Sequence, residues 1–326
     1  MAITTNGSYI PTMDDFLAHW TNCNTVLGAA PLFAVPPGKA AVSQASFEMN
    51  RTDLITTQQD VQSELNEQQI ARGDIDLKKV ALLATLNGFV GMMEAFYQGT
   101  KFYNAKPLVP SITEGQERFL SPMVDAMTLW GKMNAGVAPA GVTLPMLVVE
   151  GVDVVNFADA IDALQTAYRA EKSAMQNLAL ARAARNTEQG LAYETMKAYR
   201  LAMPIRLSQN AELISTLPKL TPDGGHTPVA VQVSGAYVAP STAHLVYTAS
   251  EEAMLSHYEL EGCNGEEFIA DDAVFLGRRE VGDPLEFTVA FGLTQPGTAA
   301  AFKVFVVLTT GNRAGSVVAV VRRPLV

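Results

Sequence analysis

A multidomain α + β protein is what this sequence predicts, with a duplicated long-helix bundle followed by a seven-stranded antiparallel β-sandwich. Three observations lead there. Sliding the chain by 110 positions aligns one helical stretch with another, and apolar residues in the first of them recur at close to heptad spacing. Beyond Pro222 that period gives way to short β-branched and aromatic runs. The expected domains are 1–110, the first helical repeat; 111–222, the second, packing on the first as one elongated bundle; and 226–326, the sandwich.

The repeat is anchored by the chain's two tryptophans. Trp20 is followed four residues later by Asn24, and Trp130 by Asn134. The same offset matches Met13 with Met123, Asp15 with Asp125, Phe47 with Phe157, Leu54 with Leu164, Ser63 with Ser173, Ala71 with Ala181, Arg72 with Arg182 and Met93 with Met203. In all, 14 of the 81 positions from 13 to 93 are identical. Accidental alignment of two helix-rich segments is the alternative, and the structural unit that the offset implies decides between them.

Each half opens with a short amphipathic helix, at 12–27 and 116–135, and continues through a Pro/Gly-bearing connector at 30–39 and 138–151. A long helix then covers 44–103 in the first half and 153–203, before Pro204, in the second. In the first long helix Leu54, Val61, Leu65, Ile75, Leu82, Leu86, Phe89, Met93 and Phe96 form an apolar stripe, interrupted by Gln58, Gln68, Arg72 and Lys79. Gly73 is the obvious place for a break, but its counterpart is Ala183 in a strongly helical stretch, so both helices are read as continuous. A helix of some 50 residues is about 75 Å long and needs its stripe buried along its length, most simply by the other long helix.

After PDGG at 222–225 come seven strand-like runs: VAVQVSGAYV, AHLVYTAS, HYELEGC, AVFLGRRE, LEFTVAF, AAFKVFVVLTT and SVVAVVRRP. Short strands at this spacing argue an antiparallel sandwich. VYTAS at 246–250 followed by HYEL at 257–260 resembles the B and C strands of a fibronectin type III module. LTQPGT at 293–298 before FKVFVV at 302–307 resembles its E–F corner and F strand, and TGNRAGS at 310–316 its F–G loop. The resemblance covers about 228–324. Tyr247 stands where the family commonly has a strand-B Trp, and Phe302 or Phe305 where it has a strand-F Tyr. What the resemblance implies is adhesion, spacing or partner binding, not catalysis.

Composition narrows the function classes. With 23 Lys+Arg against 33 Asp+Glu the net charge is −10, which repels phosphate backbones and anionic lipid, so neither nucleic acid nor a membrane is an expected partner. The most apolar run, VALLATLNGFVGMM at 80–93, is too short to span a bilayer and contains Asn87. The first residues show no basic and apolar signal pattern, so the expected location is cytoplasmic by default, or within an assembly exported by another route. Cys23 and Cys263 are read as buried small hydrophobes rather than a disulfide or metal pair.

Candidate chemistry is sparse. His19, His226, His244 and His257 lack close-set metal spacing, and the common nucleophile and phosphate-cradle motifs are missing, so no catalytic residue and no cofactor is named. Glu266, Glu267, Asp271 and Asp272 gather carboxylates that could offer oxygen ligands to Ca²⁺, but the EF-hand spacing is absent and a solvated turn or a polar strand rim is the favoured reading. Arg72-Gly73-Asp74 is a tripeptide known for adhesion, yet it falls inside a helix. Arg278, Arg279, Arg322 and Arg323 read as rim charges or a docking point for an acidic neighbour.

The first long helix also bears apolar residues beside its stripe, Leu77, Val80, Leu83, Val90, Met92 and Tyr97, which mark a subunit interface. The reading is therefore a non-enzymatic, self-assembling structural protein whose sandwich is a spacer or display element. The alternative is a binding protein that takes a protein or carbohydrate ligand at the sandwich loops or a helix groove. An enzyme with a site between the helical halves is the third.

Overall fold

Helices α2 (Gln44–Phe96) and α4 (Val154–Arg206) are 53 residues each, so the 110-residue offset relates both of their ends. In this computed structural model the described residues are 2–27, 33–34, 41–148 and 151–324. Most of the first connector, at 30–39, lies outside them. The two caps occupy equivalent positions. The Ser43 hydroxyl accepts from the Ser46 amide while Ser46 Oγ accepts from the Ser43 amide, and Asp153 Oδ1 accepts from the Val155 and Asn156 amides. Such caps satisfy amides that the first helical turn leaves open. Gly73 breaks nothing.

The helix ends differ from the sequence reading by a few residues. α2 stops at Phe96, seven residues early, and Gly99 adopts a positive φ of 77° in the turn that follows. α4 runs through Pro204 to Arg206, because a proline in the final turn costs little more than its own backbone hydrogen bond. The stripe also rotates at the end of α2. Phe96 is 40% exposed, whereas Tyr97, one helical turn beyond Met93, is 1% exposed.

Two short helices, α1 (Tyr9–Leu27) and α3 (Gln116–Asn134), carry the tryptophans. A fifth, α5, spans Ala211–Ser215. Strands β1 (Phe33–Ala34) and β2 (Ala41–Val42) pair before α2. The chain divides into two compact units, one of Met1–Asn66 with Leu178–Val326 and one of Glu67–Asn177. These units do not coincide with 1–110, 111–222 and 226–326, since α2 and α4 each contribute one end to either unit.

In the Glu67–Asn177 unit, Trp130 stacks on Phe89 at 5.1 Å and meets Phe157 at 5.8 Å. Met93, Tyr97, Phe119, Met123 and Ile161 complete that core. In the other unit, Trp20 meets Tyr199 at 4.8 Å and Phe47 at 6.1 Å, among Met13, Phe16, Leu54, Met196 and Met203. Phe47 and Phe157 are 110 positions apart, and so are Phe89 and Tyr199. Each tryptophan thus touches matching positions.

The Trp-to-Asn spacing has a local cause on α3. Trp130 Nε1 donates to the Met146 carbonyl at 3.2 Å, and Asn134 Oδ1 accepts from the Met146 amide at 2.9 Å. One turn of helix holds both polar groups of a single connector residue. The counterpart of Met146 is position 36, outside the described residues.

All seven expected strand runs are strands. Sheet one orders β3 (Val233–Val238), β4 (Thr242–Tyr247) and β7 (Glu286–Val289). Sheet two orders β10 (Ala319–Arg322), β8 (Ala299–Leu308), β5 (Leu255–Asn264) and β6 (Val274–Glu280), with β9 (Arg313–Gly315) also on β8. All described pairings are antiparallel. This is a fibronectin type III-like sandwich. Tyr247 fills the strand-B position against Phe287 and Tyr258, and Phe302 packs edge-on to Phe291. The F–G connection is shorter than 310–316, because residues 313–315 already pair with β8.

The buried cluster of the sandwich draws only on residues between Val231 and Val321. Expressed alone, residues 226–326 are therefore expected to melt cooperatively with β-type circular dichroism. A fragment without a transition would mean that the helical segments complete its core.

Candidate functional site

Strands of a two-sheet sandwich normally turn one face to the core and the other to water, and β5 departs from that rule. Tyr258 and Leu260 face the core, while His257, Glu259 and Glu261 on the opposite face are each at most 3% exposed. The N-terminal segment lies over Glu261. Gly7 lies so close to Glu261 that a side chain there would collide with the carboxylate. Arg313, from β9, donates to Glu259 at 2.9 Å and Glu261 at 2.8 Å, and also to Thr5. His257 Nε2 lies 3.1 Å from Glu259 and its Nδ1 2.9 Å from Ser256. The guanidinium also rests 4.1 Å from the centre of the Phe305 ring.

Burial pushes the Glu261 carboxyl above its ordinary range, with Arg313 pulling the other way. Two carboxylates share one arginine, so the cluster holds the N-terminal segment on the sheet at a cost in desolvation. Its outward alternation was visible in the sequence. Its burial was not.

The acidic loop at 266–272 is no cation cage. Asp272, wholly buried, accepts from Arg182 at 3.0 Å and from Arg185 at 3.3 Å, so its oxygens already serve guanidinium groups. Glu266 pairs with Arg322 at 2.7 Å. Glu267 and Asp271 are exposed, and no three metal-type side chains converge among the described residues. The calcium candidate is therefore corrected to an ion-paired loop. Its partners Arg182 and Arg185 lie on α4, more than 80 residues away in sequence.

The other singled-out groups have structural occupations. His19 Nε2 donates to the Leu213 carbonyl at 2.9 Å, leaving Nδ1 to accept from the Tyr199 hydroxyl at 2.8 Å, which pins α1 to α5. Cys23 is buried beside them and its thiol is pushed up by desolvation. Burial pushes the Cys263 thiol up to about 12. Neither is a nucleophile in this state. Arg72 pairs with Glu171 and Asp74 with Lys78 on the helix surface. Arg278 pairs with Glu280, and Arg323 donates to the Leu293 and Thr294 carbonyls. Two further polar interruptions of the α2 stripe also find partners: Gln58 donates to the Asn6 carbonyl at 3.3 Å, and Lys79 caps the Ile112 and Glu114 carbonyls at 3.0 and 2.9 Å.

The six interface candidates separate. Leu77 is 73% exposed and Val80 54%. Leu83, Val90 and Met92 are half-buried against the core of the Glu67–Asn177 unit, and Tyr97 belongs to that core. Tyr97 is thereby withdrawn, and Leu83, Val90 and Met92 present only part of their surface. The exposed face runs instead through Leu77, Val80, Ala81, Ala84, Asn87 and Gly91, and ends at Glu94, which pairs with Lys106 at 2.7 Å, and Ala95.

No protein-family model and no curated protein matches this chain. Among solved structures, an Fn3-like protein from Clostridium thermocellum is similar over 30% of this chain and 96% of its own, at 16% identity and a TM-score of 0.25. A fourth fibronectin type III domain from human is similar over 32% of this chain and 83% of its own, at 20% identity and a TM-score of 0.25. Pectate lyase PelI from Erwinia chrysanthemi, in complex with tetragalacturonic acid, is 14% identical over 28% of either chain, with a TM-score of 0.24. This chain thus spans under a third of the lyase.

Proposed function

We propose that this is a structural protein that associates with copies of itself through the exposed face of α2 between Val80 and Gly91, the sandwich acting as a spacer or display module. The observation that carries the reading is a contrast between matching turns. Residues 80–93 of α2 contain no charged residue, whereas the matching turns of α4, residues 190–203, contain Glu194, Lys197 and Arg200. The buried positions match closely in both: Leu82 with Ala192, Leu86 with Met196, Phe89 with Tyr199 and Met93 with Met203. The fold therefore does not require the uncharged outer face.

An exposed helix face in water ordinarily carries charge. On a chain of net charge −10, a second copy can approach without like-charge contact where that face is neutral. Ala81, Ala84 and Gly91 also leave the backbone accessible to a partner helix.

Light scattering after size-exclusion chromatography should give a multiple of the chain mass for the wild type. The double variant Val80→Glu and Ala84→Glu, both at exposed positions, should elute as a monomer with an unchanged helical circular dichroism signal. A wild type that stays monomeric at high concentration, or a variant that associates as before, overturns the proposal.

A further inference from the structure

Within the unit of Met1–Asn66 and Leu178–Val326, a groove of about 560 Å³ lies between the first half of α2 and the end of the sandwich formed by β6 and the turn after β7. Its volume is that of a small-ligand site. None of the fifteen described residues that line it is charged, in a chain where 17% of residues are.

The two walls differ in kind. On α2, Gln59, Ser63 and Asn66 follow one another at four and three residues, so they stand on one face of the helix. All three are exposed, and among the described residues none of their side chains has a hydrogen-bond partner. Gln62 and Asn264 are committed to the floor instead: Gln62 Oε1 accepts from the Asn264 amide, and the Asn264 side chain donates to the Gln62 carbonyl, both at 3.2 Å. Gly292, at a φ of 70°, passes so close to Asn264 that a side chain would clash. Gln62 and Asn264 are thus already engaged with each other.

Across the groove stand Phe275 and Phe291. Phe291 packs on the sandwich core. Phe275, half-buried on β6, belongs to no core cluster and stacks on no other ring among the described residues. The groove thus joins an aromatic that belongs to no core cluster with a row of groups that both donate and accept.

We infer that this groove binds a neutral saccharide, with sugar hydroxyls on Gln59, Ser63 and Asn66 and a pyranose face on Phe275. The chemistry excludes the other small-ligand classes. Phosphates, carboxylates and cations find no counter-charge, and a purely apolar ligand would strip water from three polar side chains without replacing its hydrogen bonds. Vicinal hydroxyls each donate and accept, as amides and the serine hydroxyl do, while the C–H face of the ring covers apolar surface. An extended peptide is the less suitable occupant, because its side chains need alternating pockets that a single aromatic wall does not provide.

The test is isothermal titration calorimetry of the full chain with maltotetraose, cellotetraose and tetra-N-acetylchitotetraose, with a heparin tetrasaccharide as the charged control. At least one neutral sugar should bind at submillimolar concentration and the heparin fragment should give no heat. The variant Gln59→Ala with Asn66→Ala, and separately Phe275→Ala, should each weaken binding by about tenfold with unchanged circular dichroism. Three results overturn the inference: silence from all three neutral sugars at millimolar concentration, binding indifferent to both variants, or a neutral pentapeptide such as acetyl-Ala-Gln-Ala-Gln-Ala amide binding at these residues in place of the sugars. The aggregation state plays no part in the readout, so the outcome stands apart from the self-association proposal.

Discussion

Replacing Arg313 by methionine is expected to cost about 3–5 kcal/mol of stability, because it removes the guanidinium shared by two buried carboxylates and leaves Glu259 with His257 and Glu261 with the Thr5 hydroxyl as their remaining partners. Urea unfolding of the full chain measures it. Adding Glu259→Gln and Glu261→Gln to the same chain should recover most of the loss, since the repulsion and desolvation then vanish together. A cost below about 1 kcal/mol would mean that water reaches the carboxylates and that they are solvated as a surface pair would be.

The same cluster sets a pH dependence whose sign follows from burial. Glu261 in the folded chain holds its proton more tightly than an unfolded glutamate does. Its favourable contribution is therefore complete below the ordinary carboxylate range, near pH 4, and is lost as pH rises through the raised value. Stability of the wild type should decline over that window relative to Glu261→Gln. A wild type that instead gains stability on Glu261→Gln's profile as pH rises would reverse the assignment.

Trp20→Ala and Trp130→Ala are each expected to cost about 3–5 kcal/mol, the usual penalty for emptying a large aromatic site in a packed core. Both rings are wholly buried and each touches aromatic residues from both long helices. Trp130→Phe separates packing from hydrogen bonding. It keeps most of the contact with Phe89 and Phe157 but leaves the Met146 carbonyl without its indole donor, at about 1–3 kcal/mol. Amide hydrogen exchange in the surrounding segments reads each loss separately. A near-neutral effect at one tryptophan and a large one at the other would show that the two sites are not equivalent, despite their spacing.

Much of the architecture was legible because periodicity is a local property. The stripe from Leu54 to Met93 lies at positions that the structure buries, and the shift to alternating residues after Pro222 coincides with the first strands of the sandwich. The fine phase of the stripe was less legible. Phe96 and Tyr97 are equally apolar neighbours, and which one turns inward depends on where α2 ends and how its last turn meets the chain beyond. For the same reason Leu83, Val90 and Met92 read as surface residues although the core takes part of each.

What the sequence determined by itself was the type and order of the four main helices and seven of the strands, together with the neutral stretch at 80–93, because helical and strand periods and runs without charge are written in neighbouring residues; the two- to five-residue elements β1, β2, β9 and α5 are too short to carry such a period. Tertiary structure alone decided which polar groups are spent and which remain available. Asp272 meets Arg182 and Arg185, Arg313 meets Glu259, Glu261 and Thr5, and Gln59, Asn66 and Phe275 come to line one groove. Each set joins segments separated by dozens to hundreds of residues. A side chain's ionic partner or its freedom to meet a ligand depends on distance and burial after packing, and no local pattern encodes either.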